Sequence, residues 1–291
     1  MKLMVNAMLS RVDRVQVSTS DPDTVADSWV RLLDAREVGR DTIAALSAKR
    51  ITLDVGNCQI EVLSPDGEGI VQSHLASNPG GPFAAGFATQ DLSAVKTRLK
   101  EEQVDFQEET GQVLIEPDVL GIAGLRLVIS QDEERERQGV LQNLYEVTHL
   151  TVEVQAAADD FARIFKLDSK HFVPINSENY GYDGYLTLVN PAELDRIETI
   201  NPYDLDKTMG RFYSKFGASL YMCYGECDDL PSLRNRLQEL VPNDWTGDRE
   251  GPLDGLFIHP KALGGVMLGV SRTTFAWSWS GSPERIQPND K

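Results

Sequence analysis

The sequence predicts an α+β fold built from four βαβββ modules paired into two similar domains, and three observations carry that prediction. First, RVQVST (residues 14–19) and HLTVEV (149–154) alternate apolar and polar residues, the pattern of half-buried strands. Second, QIEVLSP (59–65) matches RIETINP (196–202), and the 47 residues from Arg14 to Glu61 nearly equal the 49 from His149 to Glu198. Third, a strand-like run is followed by helix-forming periodicity four times along the chain.

The elements follow in order. Asp21 is an N-cap and Pro22 occupies the first helical position, with Val25, Trp29, Leu32 and Leu33 at helical spacing behind them. Residues 83–89 repeat the strand, and Asp91 caps a helix bearing Leu92, Val95 and Leu99. Residues 149–154 precede a helix with Phe161, Ile164 and Phe165. Residues 219–224 precede one opened by Asp229 and Pro231 and bearing Leu233, Leu237 and Leu240. Further strand-like runs follow each helix: 50–55 and 59–63, 113–115 and 125–129, 185–189 and 196–200, 256–259 and 266–270. The expected domains are therefore 11–130 and 146–271, with 272–291 as a tail. Between the domains QDEERERQG (131–139) reads as a solvated linker. One helix covers only one face of a module's sheet, so a cleft between modules is the expected ligand site.

Charge and composition narrow the function. The 291 residues carry 28 Lys and Arg against 45 Asp and Glu, a formal net charge of −17. This argues against partners such as nucleic acid or an anionic membrane, whose phosphates are recognised by clustered Lys and Arg. At 41% apolar residues the chain can bury a core. No run approaches the roughly 18 apolar residues of a bilayer span, and MKLMVNAMLSRVDR lacks the apolar stretch of a leader. Cys58, Cys223 and Cys227 are too few for a disulfide framework, and C-x-x-x-C is neither a zinc nor a redox signature. Buried thiols in a cytoplasmic protein are expected.

In order and spacing, VDRVQVSTSDPD, QIEVLSPDG, VTHLTVEV, RIETINP and FIHPKALGGVMLGV resemble the vicinal oxygen chelate superfamily. That group includes glyoxalase I, methylmalonyl-CoA epimerase, extradiol ring-cleaving dioxygenases and antibiotic-resistance binding proteins. The likeness runs from about Arg11 to Val270 and implies glyoxalase-like domains. It also implies one divalent metal ion (Mn, Fe, Co, Ni or Zn) held by residues on the first and last strands of two modules, with open positions for a chelating substrate. The matching positions are Arg14 and Glu61, Ala84 (or Ala85) and Val128, His149 and Glu198, and Met222 and Gly269. Arginine stays protonated and is no metal ligand, so Arg14 is expected to pair with Glu61. Only the third module keeps two donors, His149 and Glu198, short of the usual three or four. Of the ring-cleaving pattern only His149 remains.

The candidate residues follow from these matches. His149 and Glu198 are the metal candidates; a structural strand histidine and a Glu198–Arg196 pair are the alternatives. Glu198 and His259 are the candidates for proton transfer, although His259 beside Pro260 also reads as a strand-end histidine. For substrate binding the candidates are Tyr182 and Tyr185 in NYGYDGYLTL, and Met222 and Tyr224 on one face of YMCY. Arg272 is a candidate for an anionic substrate group, or for an ion pair. Phe275, Trp277 and Trp279 alternate, and three aromatics on one face need a cover, either a sheet edge or the second subunit of a homodimer. The resemblance implies a lyase or isomerase acting through an enolate on a small oxygenated metabolite or thioester in the C-terminal domain. Two alternatives stand beside it: a metal-free protein sequestering an apolar or aromatic ligand, and a degenerate extradiol dioxygenase.

Overall fold

The computed structural model describes residues 8–288 and carries the four modules in sequence. Residues 1–7 of the stretch read for a leader and residues 289–291 of the tail lie outside the described residues. Module one comprises β1 (Arg11–Ser18), α1 (Pro22–Leu33), β2 (Arg36–Ile43), β3 (Ala48–Val55) and β4 (Cys58–Pro65), and α2 (Ile70–Ser77) follows it. Module two comprises β5 (Gly81–Thr89), α3 (Leu92–Glu101), β6 (Gln107–Glu109) and β7 (Gln112–Ile115), then the short α4 (Pro117–Leu120) and β8 (Leu127–Gln131). Module three comprises β9 (Asn143–Leu150), α5 (Val154–Phe165), β10 (Val173–Ser177), β11 (Tyr182–Leu188) and β12 (Arg196–Asn201), and α6 (Thr208–Phe216) follows it. Module four comprises β13 (Ser219–Cys227), α7 (Leu230–Leu240), β14 (Trp245–Gly247), β15 (Gly255–Ile258) and β16 (Met267–Arg272).

The strands form two eight-stranded sheets, ordered β2-β3-β4-β1-β5-β8-β7-β6 and β10-β11-β12-β9-β13-β16-β15-β14. In every module the first and last strands are parallel neighbours, and the remaining pairs are antiparallel. The connection from first to last strand runs through the module's helix and two further strands, the long crossover that a parallel pair requires. By compactness the chain divides across the sequence halves. One unit takes the described residues through Asp13 with Ala84–Glu133 and Glu146–Leu220. The other takes Arg14–Phe83, Glu134–Tyr145 and the chain from Tyr221.

The helix starts follow from capping chemistry. The carboxylates of Asp21, Asp91 and Asp229 accept from the amides of Thr24, Ala94 and Ser232, satisfying donors that a helix start leaves open. The predicted apolar stripes are buried, except that Leu92 and Leu240 are half-exposed. In the first unit Phe161 packs against Phe87 and Phe165, with ring centroids 5.9 and 4.9 Å away. Arg98 of α3 donates to the carbonyls of Arg163 and Ile164 at 2.7 and 3.1 Å, closing the carboxyl end of α5.

Three expectations change. The first strand of module three is β9, ending at Leu150, and not residues 149–154. Residues 153–154 instead start α5, whose buried Ala157, Ala158, Phe161 and Phe165 claim the chain for a helix. The 131–139 segment is not a free linker: Arg137 forks onto Asp228 at 2.6 and 2.8 Å, and Gln138 exchanges backbone bonds with Gly56 at 2.7 and 2.9 Å. The tail aromatics do not share a face, because Phe275–Ser278 is a 3-10 helix, where residues two apart diverge. Phe275 meets Trp279 edge-on at 5.8 Å, while Trp277 is buried under the Arg285 guanidinium, 3.6 Å from its ring centroid. All three cysteines are buried thiols, as expected. Among the described residues no helix is long and apolar enough to cross a membrane.

Replacing Phe161 by Ala removes the centre of a three-ring contact and is expected to cost about 3–5 kcal/mol in denaturant melts. Asp91→Ala, which removes only a cap, is expected to cost about 1 kcal/mol.

Candidate active site

Parallel register decides which residues of a module can meet. Directly paired residues present their side chains on the same face, and a one-residue slip reverses the face. The pairs at corresponding places are Gln16 with Glu61, Gly86 with Val128, Thr148 with Glu198, and Tyr224 with Gly269. Two residues before the first member of each pair stand Arg14, Ala84, Glu146 and Met222. Each of these lies eight residues before the start of its helix at Pro22, Leu92, Val154 and Leu230. Glu146, not His149, therefore corresponds to Arg14, and the sequence reading missed it. The constant spacing to the helix start was the signal that could have found it.

In module one the position is a closed ion network. Arg14 donates to Glu61 Oε1 at 2.6 Å, Arg50 to the same oxygen at 3.1 Å, and Gln16 to Oε2 at 2.8 Å. Arg50 also forks onto Asp41 at 2.8 and 2.6 Å. Burial pushes the Glu61 carboxyl up, but Arg14, Arg50 and the Gln16 bond outweigh it and hold the group below the usual carboxylate range. The expected Arg14–Glu61 ion pair is present.

Module three carries different chemistry on the same face. Arg196 Nε donates to Glu146 Oε2 at 2.7 Å, and the Thr148 hydroxyl donates to Glu198 Oε2 at 2.7 Å. Burial and the neighbouring Glu146 push Glu198 up to about 8. Burial likewise raises Glu146, against the pull of Arg196. Tyr182 lies on this face, where burial and the nearby Glu198 and Glu146 push its phenol up, so it remains an O–H donor. Tyr185 pairs with Thr199 and points the other way. The alternative Glu198–Arg196 pairing gives way to Glu146–Arg196.

His149 also pairs with Thr199, so it faces away from Glu198. The two lie on adjacent strands but do not converge. Its Nε2 donates to the carbonyl of Ala123 at 2.7 Å, while Nδ1 is buried without a hydrogen-bond partner. Gly121 and Gly124, both at positive φ, turn the loop that presents Ala123. Burial pushes the imidazole down to about 4.

The remaining candidates lie in module four. The Tyr224 ring covers Gly269 so closely that a Cβ there would fall inside it, and Tyr145 and Phe257 flank the ring at 6.1 and 5.9 Å. Met222 is buried on the same face. His259 is half-buried, with Nε2 2.6 Å from the Thr246 hydroxyl, and belongs to the other compact unit from Glu198. Arg272 is engaged: Nε donates to Asp254 at 2.9 Å and Nη1 to the carbonyl of Gln287 at 2.7 Å. An ion pair, not an open anion site, is its environment.

No protein-family model and no curated protein matches the sequence. Solved structures do match. A triple mutant of 4-hydroxymandelate synthase from Streptomyces coelicolor aligns with a TM-score of 0.67, covering 91% of this chain and 92% of that one at 13% identity. The chain has the vicinal oxygen chelate fold. Methylmalonyl-CoA epimerase from Mycobacterium tuberculosis aligns at 19% identity and TM-score 0.39, covering 48% of this chain and 93% of that one. A Streptomyces coelicolor methylmalonyl-CoA epimerase variant in complex with 2-nitronate-propionyl-CoA gives 16% identity, 43% and 99% coverage, and TM-score 0.38.

The metal implied for a vicinal oxygen chelate fold does not fit the donors present. Register separates His149 from Glu198, Glu61 is saturated by cationic and amide donors, and Glu146 is held by Arg196. Among the described residues no group of three or more His, Cys, Asp or Glu side chains is placed to hold an ion.

Two pH limits follow from linkage. His149 favours its neutral form when folded, so its contribution is complete above 6.5 and is lost as pH falls from 6.5 to about 4. Glu198 favours its protonated form, so its contribution is complete below 4.5 and is lost as pH rises from 4.5 through about 8. Thermal melts across pH should show a shallower acid slope in His149→Phe and a shallower alkaline slope in Glu198→Gln. Arg14→Ala, which strips one cation from buried Glu61, is expected to cost about 3 kcal/mol by denaturant titration.

Proposed function

We propose that this chain is an enzyme of isomerase or lyase type that turns over a small carbonyl metabolite or thioester through an enolate, with 11–130 and 146–271 as its two glyoxalase-like domains. The observation that carries the reading is a face on which two carboxyl groups are buried, Glu146 held by Arg196 and Glu198 by the Thr148 hydroxyl, with Tyr182 on the same face; burial and the neighbouring Glu146 push Glu198 up to about 8. A carboxyl group with a raised pKa in a water-poor site is suited to acid catalysis at neutral pH. In the proposed step the α-carbon gives a proton to water while Glu198 passes its own to the carbonyl oxygen, so that the developing enolate is trapped as the neutral enol and Glu198 is left ionised. Return of both protons restores the carbonyl and the neutral acid. No metal takes part in this step. His259 has no assigned part in it.

A second reading rests on the Met222, Tyr224 and Phe257 face over Gly269, an aromatic layer suited to holding an apolar or aromatic ligand without chemistry. Exchange of α-hydrogens in heavy water, followed by NMR over a panel of ketones and acyl thioesters, separates the two. Glu198→Gln is expected to slow exchange by about 10²–10⁴; exchange that survives this change rules out the enzyme reading. If the protein only sequesters its ligand, calorimetry should show binding abolished by Gly269→Trp and untouched by Glu198→Gln.

A further inference from the structure

Register extends the face of Glu198 outward to the edge of its sheet. Glu198, Leu186 and Val173 pair in turn across β12, β11 and β10, and directly paired residues share a face. The next row on that face is Ile200, Gly184 and Ile175. Gly184 has no side chain, and Ile200 leans into the gap: a Cβ on Gly184 would stand 3.0 Å from Ile200 Cγ2. Leu186 and Ile200 are buried, whereas Val173 and Ile175 on the edge strand are half-buried. Pro174 and Asn176 alternate with them onto the other face, where both are exposed.

Polarity therefore falls away from the carboxyl group. Beyond β12 each row is apolar for two strand spacings, about 10 Å. Charge has no counterpart there. Arg196 is the one Lys or Arg on β9, β10, β11 and β12. It is fully buried, with Nε on Glu146 at 2.7 Å and Nη1 on the carbonyl of Leu194 at 3.1 Å. An anion laid on this surface would lose water and gain no cation.

We propose that this surface receives the non-reacting part of the substrate, an uncharged apolar chain running from the carbonyl at Glu198 past Leu186 to Val173 and Ile175, and that Ile175 sets specificity for its length and charge. The position of the carbonyl rests on the proton-transfer reading; the chain site stands on register and burial. Each methylene taken out of water there adds about fourfold to affinity.

Calorimetry on the full-length protein with the acetyl, butanoyl, hexanoyl and octanoyl thioesters of N-acetylcysteamine tests this. Wild-type Kd should fall by about tenfold for each lengthening of the chain by two methylenes. Ile175→Asp should erase the trend. Asn176→Asp, which adds the same charge one residue on and facing the other way, should leave it intact. Ile175→Arg should invert the preference, so that the adipoyl thioester, ending in a carboxylate, binds more tightly than the hexanoyl one. Circular dichroism checks the fold of each variant. A wild-type affinity that is independent of chain length, or absent throughout, overturns the proposal and needs no variant to fold. Equal loss in Ile175→Asp and Asn176→Asp overturns it too. Binding is read without turnover. A chain-length trend without α-hydrogen exchange leaves this site standing while the enzyme reading falls, and exchange that depends on Glu198 without the trend does the reverse.

Discussion

Everything chemical in this protein depends on the parallel pairing of each module's first and last strands. A connection of one helix and two further strands brings them side by side, and the pairing sets side-chain direction with a period of two. A pair of residues in register shares a face, and a neighbour one step away does not. Thr148 and Glu198 meet for this reason, while His149, one residue on, turns its ring to the carbonyl of Ala123.

Within that frame the same positions hold four different chemistries. Module one places Arg14, Gln16 and Glu61 there and balances a buried carboxylate with two guanidinium groups and an amide. Module two places Ala84, Gly86 and Val128, which offer no polar side chain. Module four places Met222, Tyr224 and Gly269, where the absent Cβ leaves room for an aromatic ring. Only module three brings two carboxyl groups together with a single cation. A fully compensated buried charge is a structural feature, whereas an under-compensated pair shifts its protonation, and shifted protonation is what acid–base chemistry uses.

This contrast is why the functional reading falls on module three even though metal ligation fails there. The fold positions the carboxyl groups, and the side chains around them decide the chemistry. Arg196 is needed in both accounts: without it the pair would bury charge with nothing opposing, and with a second cation it would resemble the locked network around Glu61.

By itself the sequence determined the module plan. Period-two alternation marks strands, Asp caps mark helix starts, and the repeated QIEVLSP and RIETINP phrases mark corresponding last strands, because these are local consequences of backbone geometry and burial. It also determined Glu61 and Glu198 as corresponding residues, the Arg14–Glu61 pairing, and the small or apolar character of Ala84, Val128, Met222 and Gly269. What it left undecided was register in β9. NLYEVTHL and HLTVEV both alternate, and alternation alone cannot say where a strand ends and a helix begins. Only the packed structure decided that, because the buried face of α5 fixes the helix start at Val154 and therefore turns Glu146 toward Glu198 and His149 away. The fate of Arg272 was likewise settled by a partner on a neighbouring strand's flank, Asp254, which no local pattern specifies.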